Sequence, residues 1–446
     1  MKAIQLLMSL SILVLLHEMG HFLAARAFKT RVEKFYLFFD FMFPFPTLLN
    51  FALFKKKIGD TEYGLGWFPL GGYVKIAGMV DESTDASELQ RPPLPDEYRA
   101  KKNWQKLIIM LGGIIMNILL GWLIYSQLLF WNGGTYLPAE NAKYGVTCDS
   151  LALKIGFQNG DVLQSHDGGK KFENFASVAK ELLLDDVKKV EVLRAGQPVS
   201  IAIPSNFSAL VVNGAKGKAM PLFDFNIPCM VGDFGPQTVL KGKLERGDII
   251  TAINDSAVTY FSDAKPILAN LKGQEARIDF ERKGEKKEAA VMVSKEGTLG
   301  FFAPTDLKAY KGYLDFVEIK YGFIESFGAG AQKAATKMWD YLKQFKLIFS
   351  PTVKGYKQLG GVGTMASMFP EQWDWVAFFS LTAFISLILA VANLLPIPML
   401  DGGYVILLLF EMITGIVLSE RAIENINKVG LVFLLGLMVF ANGNDL

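Results

Sequence analysis

The sequence predicts a multi-pass α-helical membrane protein, with about four spans of bilayer length, into which a sizeable β-rich soluble part is inserted. Composition is the first reason: 51% of the 446 residues are hydrophobic and 20% are charged, with a mean hydropathy of +0.27. That is too apolar for an ordinary soluble enzyme and too polar for a chain made only of membrane helices. The second reason is the separation of long uncharged stretches at the two ends from a charged middle. The third is the change in pattern at about residue 131, where glycines begin to mark turns between short alternating apolar runs. A net charge of +2 offers no nucleic-acid footprint. Cys148 and Cys229 make neither a disulfide framework nor a CxxC metal site; spacing leaves their pairing open, and two unpaired residues is the simpler reading.

Residues 3–28 form the first expected span. Lys2 precedes an apolar run, as in a signal peptide, but no small-residue cleavage site follows and ionisable residues fill the second half, so the helix is retained. Arg26, Lys29, Arg31 and Lys34 close it, which puts that end in the cytoplasm by the positive-inside rule. Residues 107–131 form the second span, with Lys101, Lys102 and Lys106 before it. The third is 373–395, and 429–441, slightly short, is the best candidate for the fourth. Four spans return the C-terminus to the side on which the chain began. Residues 404–418 form an apolar helix interrupted by Glu411. Residues 337–349 mix Trp339, Leu342, Phe345 and Phe349 with lysines, as in an interfacial helix or one packed on the membrane part.

Between the first two spans, residues 63–76 carry β-prone residues punctuated by glycines, predicting a short hairpin or a loop of strands. An exposed strand edge cannot face lipid, so the hairpin lines a protected cavity or lies in the cytoplasm. The neighbouring segment with Phe35, Phe38, Phe39, Phe41, Phe43 and Phe45 reads as a loop, membrane-embedded or gating. In the charged middle, residues 155–163 match residues 242–250, with an offset of 87 from the Gly160-Asp161 pair to the Gly247-Asp248 pair. A Gly-Asp turn feeding an apolar strand twice suggests two tandem domains. Each copy resembles a PDZ domain at this strand. The expected domains are a membrane core at 1–130, PDZ-like domains at 131–218 and 219–306, and an amphipathic and membrane region at 307–446.

His17-Glu18-Met19-Gly20-His21 lies inside the first span. Residues four apart share one helix face, so two imidazoles can meet one metal ion with Glu18 beside it, as in zinc peptidases where the glutamate is the general base. The pattern alone is only moderately specific. Ionisable groups inside a membrane helix, however, cost a few kcal/mol each on insertion scales, and normally mark function; a polar cluster merely joining helices is the alternative. A catalytic zinc usually takes three protein ligands. His166, the other histidine, aligns with Ile253 of the second repeat and reads as a β-domain residue, so a carboxylate must supply the third bond. Asp401 offers one, just after Pro396 and Pro398 break the third span. Asp401 could instead cap the following helix.

His17, Glu18 and His21 in the first span, with Asn393, Pro396, Pro398 and Asp401 near the third, strongly resemble the two motifs of the site-2 protease family, and its bacterial RseP-like branch with tandem PDZ domains. Residues 69–75 look like that family's membrane re-entrant β-loop. The resemblance covers nearly the whole chain. It implies zinc bound by His17, His21 and Asp401, Glu18 as base and proton shuttle, and substrate held in extended form by Asn393 and by the strand with Gly71, Gly72, Tyr73, Val74 and Lys75. It implies a metalloendopeptidase of the bacterial inner membrane, acting in regulated intramembrane proteolysis with its site toward the cytoplasm. Its substrates would be single-span membrane proteins such as anti-sigma factors already cut by an upstream site-1-type protease, or remnant signal peptides. Its partners would include membrane lipids, and its PDZ pair would be a periplasmic size filter. One departure is Gly113-Ile114-Ile115-Met116-Asn117, where the family has a proline after the glycine. Two other function classes are a peptide-binding membrane scaffold, which has no need of Glu18, and a divalent-metal transporter, for which the other spans carry too few acidic residues.

Overall fold

The computed structural model describes residues 1–42, 49–79, 92–214, 222–235, 238–240, 242–304 and 307–445. Phe43, Phe45 and the expected domain boundaries at 218 and 306 lie outside them. The chain divides into two units: Met1–Gly133, Lys320–Phe349 and Gly355–Leu446 form one, Gly134–Ile319 and Ser350–Lys354 the other.

The first unit opens with helix α1 (Lys2–Ala27). Four strands follow, β1 (Val32–Phe39), β2 (Ala52–Ile58), β3 (Thr61–Gly66) and β4 (Phe68–Ile76), in one sheet of order β2-β3-β1-β4. This corrects the expected hairpin at 63–76. Strands β3 and β4 do not pair with each other but flank β1, which runs parallel to β3 and antiparallel to β4. The hairpin of the sheet is β2–β3, turning at Gly59 with a φ of +62° that glycine adopts without strain. The physical reason is the phenylalanine-rich segment: Val32, Phe35, Tyr36 and Phe39 are strong strand formers, so what read as a loop takes the central position. Helix α2 (Asn103–Asn132) completes this stretch.

The second unit contains β5 (Gly134–Tyr136), β6 (Val146–Cys148), α3 (Ser150–Ile155), β7 (Val162–His166), β8 (Lys170–Lys171), α4 (Val178–Leu184), β9 (Lys189–Arg194), β10 (Gln197–Ala202), α5 (Phe207–Gly214) and β11 (Phe223–Phe225). It continues with β12 (Ile249–Ile253), β13 (Ser256–Ala257), α6 (Phe261–Asn270), β14 (Glu275–Arg282), β15 (Glu285–Met292) and β16 (Val317–Ile319). Two sheets of the same size, β10-β9-β7-β8 and β13-β12-β14-β15, cover two separate cores. Phe157, Leu163 and Val192 lie in the first, Ile250, Ile278 and Val291 in the second.

The sequence repeat is a structural one. Gly160 and Gly247 share a φ of +90°, and the aspartate after each is buried. Asp161 accepts from Gln158 N–H at 2.8 Å and from both ends of the Arg194 guanidinium. Asp248 does the same with Glu245 N–H at 2.7 Å and Arg282. A bidentate guanidinium suits a carboxylate taken out of water. His166 is buried at the end of β7 against Phe172. Cys148 and Cys229 are both free, and burial pushes both thiols up to about 12.

The first unit resumes with α7 (Phe323–Ile348), α8 (Val362–Ser367), α9 (Trp375–Leu394), α10 (Asp401–Thr414) and α11 (Glu420–Asn444). Helix α7 buries Ser326, Gly330 and Ala334; a Cβ on Gly330 would stand 2.2 Å from Ser126 Oγ of α2, so this small face packs on the membrane helix. Trp339 and Phe349 stay exposed. Helix α10 starts and ends a few residues before the expected 404–418, stopping at Gly415 in left-handed conformation, and Glu411 accepts from Asn103 Nδ2 at 3.1 Å. Among the described residues four helices, α1, α2, α9 and α11, are long and apolar enough to cross a membrane.

Candidate metal centre

His17 and His21 stand one turn apart on α1, and the packing of that helix depends on glycine. A Cβ on Gly20 would fall 2.2 Å from Gly112 O of α2, and one on Gly113 would fall 2.5 Å from both His17 Cε1 and His21 Nε2. The bare backbone of α2 therefore lets α1 approach closely and gives the two imidazoles their space. The side chain behind His21 is fixed by α2 as well: His21 Nδ1 is 2.8 Å from Ile109 O. Asn117 Nδ2 lies 3.2 Å from His17 Nδ1.

Asp401 arrives by the break after α9. Pro396 and Pro398 lack amide protons, and Met399 takes a φ of +79°, an unfavourable conformation that the surrounding contacts must hold. The chain then folds back so tightly that a Cβ on Gly402 would meet Leu395 O at 2.4 Å and one on Gly403 would meet Ile397 O at 2.5 Å. Asp401-Gly402-Gly403 is thus a carboxylate followed by the only residue type that fits the turn. The N-cap of α10 is Leu400, and Asp401 is directed at the histidines instead of the helix end.

The three side chains form a nearly equilateral triangle. His17 Nε2 and His21 Nε2 are 3.3 Å apart, and Asp401 Oδ2 is 3.3 Å from the first and 3.4 Å from the second. Ligands about 2.0–2.1 Å from a tetrahedral zinc ion stand about 3.3–3.4 Å from one another. Asp401 Oδ2 is buried without a hydrogen bond, and an uncompensated buried carboxylate is costly unless a cation meets it. The donor set fits zinc in number, chemistry and spacing. Among the described residues these are the one group of His, Cys, Asp or Glu side chains close enough together to hold a metal ion.

A cavity of about 250 Å³ opens on this triangle. Glu18 lines it together with Val74 of β4. Gly72, Tyr73 and Asn393 also line it, and Asn393 Nδ2 is 3.5 Å from His17 Nε2. Tyr73 is steadied by its hydroxyl, which donates to Asp40 at 2.9 Å. Gly71 and Lys75 do not line the cavity. Gly71 lies against the Phe39 ring, where a Cβ would come within 2.6 Å, and Lys75 pairs with Glu33 at 3.2 Å. Sequence reasoning missed the apolar wall of Phe39, Phe41, Met79, Met110 and Met399, which comes from four separate segments. It also gave no role to Asn117, although a buried amide in a membrane helix is itself a signal.

Comparison with known proteins agrees with this chemistry. The profile of Peptidase family M50 matches residues 5–437. A protein of Neisseria meningitidis serogroup A named as a zinc metalloprotease is 27% identical, over 97% of this chain and 96% of its own length. Similarly named proteins of Campylobacter jejuni and Clostridium perfringens are 26% and 27% identical, covering 98% and 99% of this chain and 91% and 97% of their own. The match along almost the whole length, with helices fit to cross a membrane, shows that the chain belongs to peptidase family M50, the site-2 proteases, and is a zinc-dependent metalloendopeptidase.

Proposed function

We propose that the protein cleaves single-span membrane proteins within or near the bilayer, with His17, His21 and Asp401 holding zinc and Glu18 as general base. The observation that carries this is the triangle of ligand atoms, 3.3–3.4 Å on a side, beneath a cavity that Glu18 also lines. Zinc bound there supplies Lewis acidity toward the scissile carbonyl and the attacking water. Glu18, one residue from His17 and on the same cavity wall, takes the proton of that water and passes it to the departing amine.

Substrate in a membrane arrives as a helix, whose own hydrogen bonds shield the scissile peptide, so it must unwind before attack. Strand β4 is the outermost strand of its sheet, and its residues 72–74 face the cavity. An unwound segment adds to it by β-augmentation, with Asn393 contributing a side-chain hydrogen bond. Phe39, Phe41, Met79 and Met110 accommodate the apolar residues of such a segment. Gly71 and Lys75 act by shaping and anchoring β4 and not by touching substrate.

The wider setting follows from the resemblance drawn from the sequence. The enzyme resides in the bacterial inner membrane, its site toward the cytoplasm. Its two repeats, at about 131–218 and 219–306, are periplasmic PDZ-like domains that exclude uncut ectodomains. Anti-sigma factors trimmed by an upstream protease, and remnant signal peptides, are the substrate class. The test is Glu18→Gln, co-expressed with a model single-span substrate. Cleavage should fall by about 10²–10⁴-fold, the usual worth of a general base, while bound zinc is retained. Cleavage at the parental rate would refute the mechanism.

A further inference from the structure

Helix α2 faces the back of both imidazoles, and it treats them alike in one respect and differently in another. Behind His21 stands the Ile109 carbonyl, 2.8 Å from Nδ1. A carbonyl only accepts, so His21 Nδ1 carries the proton and Nε2 keeps its lone pair for the triangle. Behind His17 stands the Asn117 side chain, completely buried, with Nδ2 at 3.2 Å from His17 Nδ1 and Oδ1 buried without any hydrogen-bond partner. The two ends of an amide are distinguished by their partners and not by their shape. His17 Nε2 points at Asp401 and His21, so His17 Nδ1 is the protonated nitrogen and an amide nitrogen opposite it would set donor against donor. Turning the amide places the orphaned oxygen where an acceptor is needed. The Asn117 backbone is itself held, its carbonyl accepting from Ser386 Oγ at 2.8 Å.

We propose that Asn117 is a positioning residue for the metal centre: its amide oxygen accepts from His17 Nδ1–H, fixing the tautomer and ring plane in which His17 Nε2 binds zinc. The inference rests on the ligand set proposed above. It gives α2 one acceptor per histidine, a backbone carbonyl for His21 and a side chain for His17. Outer-shell acceptors of this kind usually contribute about 10–100-fold to metal affinity.

The experiment measures zinc affinity of the purified full-length protein in detergent, by competition with a chromophoric chelator, and needs no substrate. Asn117→Leu, of similar size without an acceptor, should bind zinc about 10–100-fold more weakly, with the apoprotein's helical circular dichroism unchanged. Asn117→Asp, which keeps an acceptor, should bind at least as tightly as the parent. If Asn117→Leu loses its helical signal, Asn117→Ala takes its place in the same comparison. Parental affinity without the acceptor, or an equal loss with Asp and with Leu, overturns the proposal. His17→Ala separates the two ideas. Parental zinc affinity in His17→Ala overturns the ligand set and this inference with it, whereas a loss there but none in Asn117→Leu overturns the role of Asn117 alone.

Discussion

Asp161 and Asp248 of the second unit and Asp401 of the first all keep carboxylate oxygens from water, and they are met in opposite ways. In the second unit Asp161 and Asp248 are almost wholly removed from solvent, yet each meets a two-pronged arginine and a backbone N–H. Those carboxylates are satisfied by the protein itself and serve to pin a turn to a strand. In the first unit Asp401 is brought by a strained, glycine-dependent turn to a place where one of its oxygens has two imidazole nitrogens near it and no hydrogen bond. A fold seldom leaves a buried charge in that condition. The contrast separates a structural carboxylate, complete within the chain, from one whose partner must come from outside it.

That division predicts that damage to one unit spares the chemistry of the other. The larger effect is expected in the second unit. Phe157 is buried in its first core, and Phe157→Ala should destabilise that unit by about 3–5 kcal/mol while zinc content stays at the parental level; denaturant unfolding with metal analysis reads both, and parallel loss of zinc would break the comparison. A smaller effect is expected at the helix crossing. Gly20→Ala forces a methyl group against the Gly112 backbone, and overpacking of this kind costs about 1–3 kcal/mol. Here zinc affinity should fall together with thermal stability, because the same contact sets the histidines against α2. Unchanged affinity with lowered stability would show that the crossing supports the fold without tuning the site.

What the sequence made legible is what local spacing encodes. The spans follow from hydropathy, the shared face of His17 and His21 from helical periodicity, and the break before Asp401 from Pro396 and Pro398, which cannot continue a helix. The repeat of the second unit was visible because the same turn needs the same glycine and aspartate in each copy. The rest is decided across long separations. Strand β1 displaces β3 as the neighbour of β4, and no residue of 63–76 says that a phenylalanine-rich segment will intervene. Gly112, Gly113 and Asn117 acquire their roles only by lying against α1, about a hundred positions earlier, a pairing that a single sequence does not encode. The same holds for Gly71, which lies against the Phe39 ring, and for Lys75, which pairs with Glu33, whereas Gly72, Tyr73 and Val74 line the cavity.

The proposed mechanism stands on Asp401 as the third zinc ligand beside His17 and His21. Metal analysis of the purified parent and of Asp401→Asn, washed in the same weak chelator, tests it most directly. Equimolar zinc is expected in the parent, and its loss from Asp401→Asn with the helical content intact. Equal zinc in the two proteins would contradict it.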